Sequence, residues 1–186
     1  MRLPMRVDLV LTVIGPDRPG LVELVSKTVT NHQGNWEASR MARMAGRFAG
    51  ILQVTVPADR ADALATALGS LDAHGLRVVV DRAVRAPDAA VPSTSTRLLR
   101  LELVGNDRPG VVRDVSAALA DKGINVEELA TECASAPMSG GSLLKMSAQV
   151  RAARDLAPDT LRQLIETRAP DFMVDVAELG DPTDAN

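Results

Sequence analysis

The sequence predicts an α+β fold of two βαββαβ modules, each an antiparallel four-stranded sheet with two helices on one face. The first observation is an internal repeat, because the stretch that begins at Gly15 returns at Gly105, 90 residues later. Over residues 15–26, eight of the twelve positions are identical in the second copy. The second observation is the order of strand-like and helix-like patterns, which is the same in both copies. A repeat of this length indicates one structural unit that occurs twice.

The first copy predicts six elements in the order β-α-β-β-α-β. Apolar residues at helical spacing predict two helices, one after Gly20 and one after Asp59. Shorter apolar runs predict four strands, at 8–14, 35–44, 48–56 and 77–81. Strand 1 is apolar almost throughout, so we expect it to be buried on both faces. Two interleaved right-handed βαβ crossovers place strands 1 and 3 at the centre of the sheet and strands 2 and 4 at its edges.

Polar residues and glycines predict where the helices begin and end. Asp17, Asp107 and Asp59 each lie where a carboxylate can accept hydrogen bonds from the first N–H groups of the following helix. Pro19 suits a first helical turn, because the N–H group that proline lacks has no partner there. Gly34 is expected to end the first helix as the C′ residue.

The second copy repeats this pattern after a short connection. Its strands are predicted at 97–104, 124–134, 143–151 and 171–178, and its helices at 110–122 and 157–168. Residues 85–96 contain two prolines and small residues without periodicity, which predicts a linker. An insertion of about four residues enlarges the second hairpin, at 137–142. The expected domain limits are 1–84 for module 1, 85–96 for the linker, 97–180 for module 2 and 181–186 for a tail.

Composition favours an ordinary globular protein and argues against nucleic acid as a partner. Hydrophobic residues make up 46% of the chain, charged residues 24%, and the net charge is −3. A protein that binds duplex DNA carries a basic patch, whereas arginine and aspartate interleave along this sequence. The only cysteine, Cys133, excludes an intrachain disulfide, and no stretch resembles a secretory or membrane-spanning segment. We therefore expect a cytoplasmic protein without a membrane partner.

The two glycine-containing loops are the strongest candidates for binding. Each lies between a strand and a helix, where backbone N–H groups can point towards a carboxylate or phosphate. An amino acid fits this arrangement, since its carboxylate can accept from the N–H groups and its ammonium group can donate to an oxygen. The alternative is that the aspartates only cap the helices and the glycines only turn the chain. Arg18 and Arg108 could bind an anion or could be solvated surface residues.

No pattern for catalysis or for metal binding accompanies these loops. His32 and His74 are far apart in sequence and lack nearby cysteine or glutamate at metal-ligand spacing. The sequence contains no Ser-His-Asp pattern, and Gly140-Gly141 is followed by Ser142 rather than by the lysine of a phosphate-binding loop. We therefore expect no metal, no cofactor and no enzymatic activity.

The loop residues carry a resemblance to a known family. The sequence Asp-Arg-Pro-Gly, at 17–20 and 107–110, is followed by an apolar helix, a glycine and a second strand that contains an asparagine. This pattern resembles the ACT domain, a ferredoxin-like βαββαβ module. Two copies and a linker resemble the glycine cleavage system transcriptional repressor family. The resemblance implies a small-molecule site between the loop of one module and strand 2 of another, formed by Gly15, Asp17, Arg18, Pro19, Gly20, Leu21, Asn35, Gly105, Asn106, Asp107, Arg108, Pro109, Gly110, Val111 and Asn125.

The same resemblance implies a non-catalytic regulator that senses an amino acid such as glycine or serine. It would act on a transcriptional regulator through protein–protein contact; the alternative is a subunit that gives feedback control to a metabolic enzyme. Unpaired edge strands also lead us to expect associated sheets and a homodimer. One departure separates the copies, because Gly34 directly precedes Asn35 whereas Gly123 lies two residues before Asn125. The two sites are therefore not expected to be equivalent, and copy two is the better candidate.

Overall fold

The computed structural model describes residues 5–83, 95–135 and 142–179 of the 186-residue chain. The chain divides into two compact units, Met1–Ala86 and Pro87–Asn186. The predicted tail, most of the predicted linker and most of the 137–142 insertion lie outside the described residues. The domain limits therefore stay predictions.

Each unit is a βαββαβ module, as predicted. Module 1 consists of β1 (Arg6–Pro16), α1 (Leu21–Asn31), β2 (Asn35–Met44), β3 (Arg47–Pro57), α2 (Ala61–Gly69, with a short 3₁₀ turn on either side) and β4 (Arg77–Arg82). Module 2 consists of β5 (Thr96–Asn106), α3 (Val111–Asp121), β6 (Asn125–Ser135), β7 (Ser142–Ala153), α4 (Pro158–Arg168) and β8 (Phe172–Leu179). The antiparallel sheets have the orders β2-β3-β1-β4 and β6-β7-β5-β8. The prediction of central first and third strands is confirmed.

The core of each module lies between one face of its sheet and its two helices. In module 1, Leu9, Leu11 and Val13 of β1 are buried in a cluster that includes Val25 of α1 and Leu64 of α2. The expectation that β1 is buried on both faces is wrong. Side chains alternate along a strand, and both helices pack on the face that carries the odd-numbered residues of β1. The even-numbered residues of β1 therefore point to the opposite face, which we call the open face.

The helix starts differ from the predicted caps. Gly20 is the N-cap of α1, and no side chain bonds to that end of the helix. Asp17 instead forms an ion pair with Arg43, so it is not a cap. Pro19 precedes the N-cap and thus lies outside the first turn. Asp59 is also not a cap, because it lies within the 3₁₀ turn before α2.

The end of α1 explains why the two copies differ in glycine position. Gln33, rather than Gly34, adopts the left-handed conformation, with φ 61°, and the N–H of Gly34 donates to the carbonyl of Val29 at 2.9 Å. Gly123 takes the same place in module 2, with φ 66°. The expected role of Gly34 as C′ residue is therefore wrong. The copies differ in which residue holds the left-handed position after the helix, Gln33 in module 1 and Gly123 in module 2. The asparagines open β2 and β6 at equivalent positions.

Gln33→Gly should stabilise module 1 by about 0.5–1 kcal/mol, because a left-handed conformation strains a residue with a Cβ atom. Thermal unfolding of the full chain measures this gain. Gly123→Gln in module 2 is the matched reverse change and should lower stability. Equal midpoints for Gln33→Gly and the parent would contradict the expected strain.

Candidate functional site

The candidate site in each module is the loop between the first strand and the first helix, at residues 17–20 and 107–110. Gly20 and Gly110 are the N-caps, with φ 90° and 95°, and glycine adopts this conformation without strain. Neither helix has a side-chain cap. The first N–H groups of α1 and α3 therefore have no side-chain acceptor, which leaves them available to an anion.

Backbone hydrogen bonds hold each loop against the neighbouring hairpin. The N–H of Asp17 donates to the carbonyl of Gly46 at 3.0 Å, and the N–H of Asp107 donates to the carbonyl of Ser142 at 2.8 Å. These bonds fix the loop beside the end of β2 in module 1 and beside the end of β6 in module 2. Side chains near the ends of these strands can therefore reach the loop aspartates.

The first glycine of each loop has a packing role. Gly15 and Gly105 are buried near the ends of β1 and β5. A Cβ atom on Gly105 would lie 2.7 Å from both the carbonyl oxygen of Asp171 and Cγ of Phe172. On Gly15 it would lie 2.9 Å from the carbonyl oxygen of Gly75. Close approach of the turn before the last strand accounts for both glycines, and their contact with a ligand stays a prediction.

The loop arginines bind parts of their own modules. Arg18 donates from Nη2 to the carbonyl oxygen of His74 at 2.5 Å. Arg108 donates from Nη1 to Asp114 Oδ2 at 3.1 Å and from Nε to Asp171 Oδ2 at 3.3 Å. Hydrogen bonds to Asp114 and then to Asp171 raise the pKa of Arg108. Each arginine thus ties the loop to the turn before the last strand, and anion binding by these side chains stays a prediction.

The structure does not bring Asn35 or Asn125 together with the loop of its own module. Asn35 pairs with Thr55 in the sheet, whereas Gly15 pairs with Phe48 near the other end of the same strand. Asn35 donates to Glu37 Oε1 at 2.8 Å, and this bond is the largest of the contacts that lower the pKa of Glu37. The asparagines could reach a ligand at a loop only from another module, as the sequence analysis expected.

Asn125 has the same arrangement in module 2. Its side-chain amide donates to Glu127 Oε1 at 3.2 Å, and Arg151 Nε donates to the same oxygen at 2.9 Å. The bond from Arg151, more than that from Asn125, lowers the pKa of Glu127. The carboxylate therefore holds the asparagine in place at the start of β6.

One pair of equivalent positions makes the two loops chemically different. In module 1, Arg43 Nε lies 3.1 Å from Asp17 Oδ2 and neutralises this carboxylate. Cys133 occupies the equivalent position in module 2, and its thiol donates to Asp107 Oδ2 at 3.7 Å. In the part of the chain that the structure describes, no cationic group pairs with Asp107.

The electrostatics of Cys133 agree with a donating thiol. Partial desolvation, followed by the negative charge of Asp107, raises the pKa of Cys133 above its ordinary value. The thiol therefore stays protonated at neutral pH and is a neutral donor beside Asp107. Sequence reasoning missed Arg43 and Cys133 as site residues, although the 90-residue shift of the repeat aligns them.

Neither a metal site nor a membrane-spanning helix is present among the described residues. Within 5–83, 95–135 and 142–179, no three potential metal ligands lie close enough together to hold an ion. No helix in these ranges is long and apolar enough to cross a membrane.

Comparison with known proteins identifies the fold. The family model of the ACT domain matches residues 8–81. Module 2 repeats the element order, the strand order and the Asp-Arg-Pro-Gly loop of the matched module. The chain is therefore a tandem ACT-domain protein, and ACT domains are regulatory modules that bind small-molecule effectors.

Two solved structures resemble the whole chain. One is an unknown protein from Galdieria sulphuraria, 32% identical, with a TM-score of 0.80 and coverage of 94% of this chain and 99% of that one. The other is a candidate glycine cleavage system transcriptional repressor, 18% identical, with a TM-score of 0.69 and coverage of 95% and 99%. The second likeness shows the tandem fold. Among curated proteins, none matches the sequence.

Proposed function

We propose that this protein is a non-catalytic regulator that binds an α-amino acid at the loop of module 2 and acts on a protein partner. The observation that carries the proposal is the carboxylate of Asp107, which has no cationic partner among the described residues and belongs to the loop that leads into the uncapped start of α3. A negative group next to free N–H groups is complementary to a zwitterion.

Each charged end of an amino acid has a partner in this arrangement. The carboxylate of the ligand accepts hydrogen bonds from the N–H groups of Val111 and Val112, where the helix dipole also favours a negative charge. The ammonium group of the ligand donates to Asp107, and hydrogen bonds between charged groups are the strong ones. The resemblance assigns Asn35 and Asn125 to the same ligand, and their contact with it stays a prediction.

The loop of module 1 is less suited to the same ligand. Arg43 already neutralises Asp17, so an ammonium group would have to compete with a guanidinium group for that carboxylate. This difference supports module 2 as the amino-acid site. The Arg43–Asp17 ion pair is thus a chemical reason to prefer module 2, in addition to the spacing of glycine and asparagine in its sequence.

The charge of the chain supports a protein as the partner. The net charge is −3, and a regulator that contacts DNA directly would need a basic surface. The proposed regulator therefore acts by contact with a transcriptional regulator, as in the repressor family that the sequence resembles. Feedback control of a metabolic enzyme is the alternative, and mixing the protein with either class of partner, with and without the amino acid, separates the two.

A thermal-shift screen of the full chain against the amino acids, beginning with glycine and serine, tests the site. Selective binding raises the unfolding midpoint, and at 100 times Kd it stabilises by about 2.7 kcal/mol. Asp107→Asn should weaken binding about tenfold or more, because the ammonium group loses its charged partner. Asp17→Asn, the matched change in module 1, should leave the affinity unchanged.

Folding of the Asp107→Asn variant is not in question. Removal of a helix cap costs about 0.5–2 kcal/mol of stability. However, α3 has no side-chain cap, so the predicted role of Asp107 as a cap is wrong. We expect the stability to stay within about 0.5 kcal/mol of the parent. If no amino acid shifts the parent, or if Asp107→Asn binds as tightly as the parent, the proposal fails.

A further inference from the structure

The open face of module 1 carries a row, which we call the apolar row, in which a threonine lies between two exposed aliphatic residues. Arg40 of β2 pairs with Ile51 and ends the row at the edge of the sheet. Thr12 of β1 pairs with Ile51 of β3 on one side and with Val79 of β4 on the other. Ile51 is 51% exposed and Val79 is 50% exposed. Ile14, one row further along β1, is 39% exposed. These three apolar side chains surround Thr12 on a face without a helix, and association would bury them favourably.

The equivalent row of module 2 is polar, so the fold itself does not require an apolar open face. Glu102 of β5 takes the place of Thr12 and pairs with Ser147 and Asp175, which take the places of Ile51 and Val79. Two carboxylates at the centre of this row oppose its burial. The row through Glu102 is thus polar, whereas the next row of module 2 pairs Val104 with Met173, which are 39% and 81% exposed.

Two opposite charges flank the apolar row on β4. Arg77 pairs with Ile14 and Asp81 pairs with Val10, so both lie on the open face, each two residues from Val79. Both residues are exposed, and neither has an ion-pair partner in the described part of the chain. The face therefore has a basic position on one side of its centre and an acidic position at the same spacing on the other side.

We propose that the open face of module 1 is a self-association surface whose occupant is the same face of a second copy of this chain. A two-fold axis lies between the two sheets and runs along the Thr12–Ile51–Val79 row, perpendicular to the strands. It packs the open face of one copy against the open face of the other. Val79 then contacts Val79 of the second copy, and Ile51 contacts Ile51. Arg77 of each copy meets Asp81 of the other.

This arrangement follows the rules of sheet packing and of symmetric interfaces. Two sheets that pack face to face lie about 10 Å apart with interdigitated side chains. A two-fold interface uses the same patch on both subunits and must be self-complementary. Ile51 and Val79 are each complementary to themselves, whereas Arg40 meets Arg40 of the second copy at the edge of the sheet, where solvent screens the two charges. The Arg77–Asp81 pairs select the antiparallel orientation, because the parallel one leaves these charges without opposite partners. The inference is independent of the amino-acid site at the loops.

Light scattering of the full chain over a range of concentrations tests the surface. The parent should reach the mass of two chains. Ile51→Glu should raise the dissociation constant of the dimer at least about tenfold, since it places two carboxylates against each other in the apolar row. Ser147→Glu, at the equivalent register in module 2, should leave the dimer unchanged, and circular dichroism checks that both variants fold.

A charge exchange tests the orientation. Arg77→Asp and Asp81→Arg should each weaken the dimer, because each places like charges opposite one another. The double variant restores both pairs and should return the dissociation constant to within about threefold of the parent. The proposal is overturned by a monomeric parent, by an Ile51→Glu variant that dimerises like the parent, or by a double variant no better than the single ones.

Discussion

Gly105→Ala should destabilise module 2 by about 1–3 kcal/mol, the usual cost of forcing extra atoms into a well-packed interior. The added Cβ atom would lie 2.7 Å from the carbonyl oxygen of Asp171 and from the ring of Phe172. Backbone on one side and a buried aromatic ring on the other cannot both move aside without disturbing β8. For a domain of this size, each kcal/mol lowers the unfolding midpoint by roughly 4–8 °C.

Calorimetry on the full chain measures this loss of stability, and alanine variants of two other glycines are the controls. Gly15→Ala, the equivalent change in module 1, should cost less, because its nearest atom lies at 2.9 Å and the next is the end of the Leu76 side chain at 3.1 Å. Gly69 lies at the end of α2 with open space around it. Gly69→Ala should therefore stabilise module 1 by about 0.5–1 kcal/mol. A Gly105→Ala variant as stable as the parent would show that the turn before β8 yields easily.

The architecture was predictable from the sequence because a repeat constrains every element twice. The helical spacing and the strand-like runs of one copy had to agree with those of the other copy at a shift of 90 residues. The burial of β1 was wrongly predicted, although the predicted placement of both helices on one face already implied an uncovered second face. Val10, Thr12 and Ile14 are compatible with a buried strand, and only the placement of both helices on one face leaves them on the open face. A strand whose odd- and even-numbered residues are both apolar does not reveal which face the helices cover.

The ends of the helices were predicted less well than their existence. Asp17 has the residue type and the position of a cap, but the left-handed Gly20 turns the chain so that the carboxylate meets Arg43 instead. Gln33 is an unusual choice for a left-handed position, and Gly34 beside it is the better match by residue type. Gly34 is needed for another reason, because a Cβ atom there would lie 2.7 Å from Cγ1 of Val29.

The loops were located from the sequence, but the contacts that distinguish them were not. Arg43 and Cys133 lie on the second strand of each module, and their approach to the loop aspartates depends on the strand register. That register is the pairing of each second strand with the third, which includes a bulge near the start of each second strand. The repeat does align the two positions, so a comparison of the copies beyond the loop would have singled them out.

Exchange of these two residues should exchange the ligand preference of the loops. Cys133→Arg places a guanidinium group where the thiol now meets Asp107, as Arg43 does with Asp17. The ion pair competes with the ammonium group of the amino acid, and we expect the affinity of module 2 to fall about 10- to 100-fold. Arg43→Cys removes the competitor in module 1 and should add a second site, which calorimetric titration detects as a change from one to two ligands per chain.

Cys133→Ser is the matched control for this exchange, because its hydroxyl group keeps a neutral donor beside Asp107. It should bind the amino acid within about threefold of the parent. Unchanged binding by Cys133→Arg would show that Asp107 does not contact the ammonium group. If Arg43→Cys adds no second site while Cys133→Arg removes the first, the ion pair explains only the loss at module 2, and a residue other than Arg43 keeps module 1 from binding.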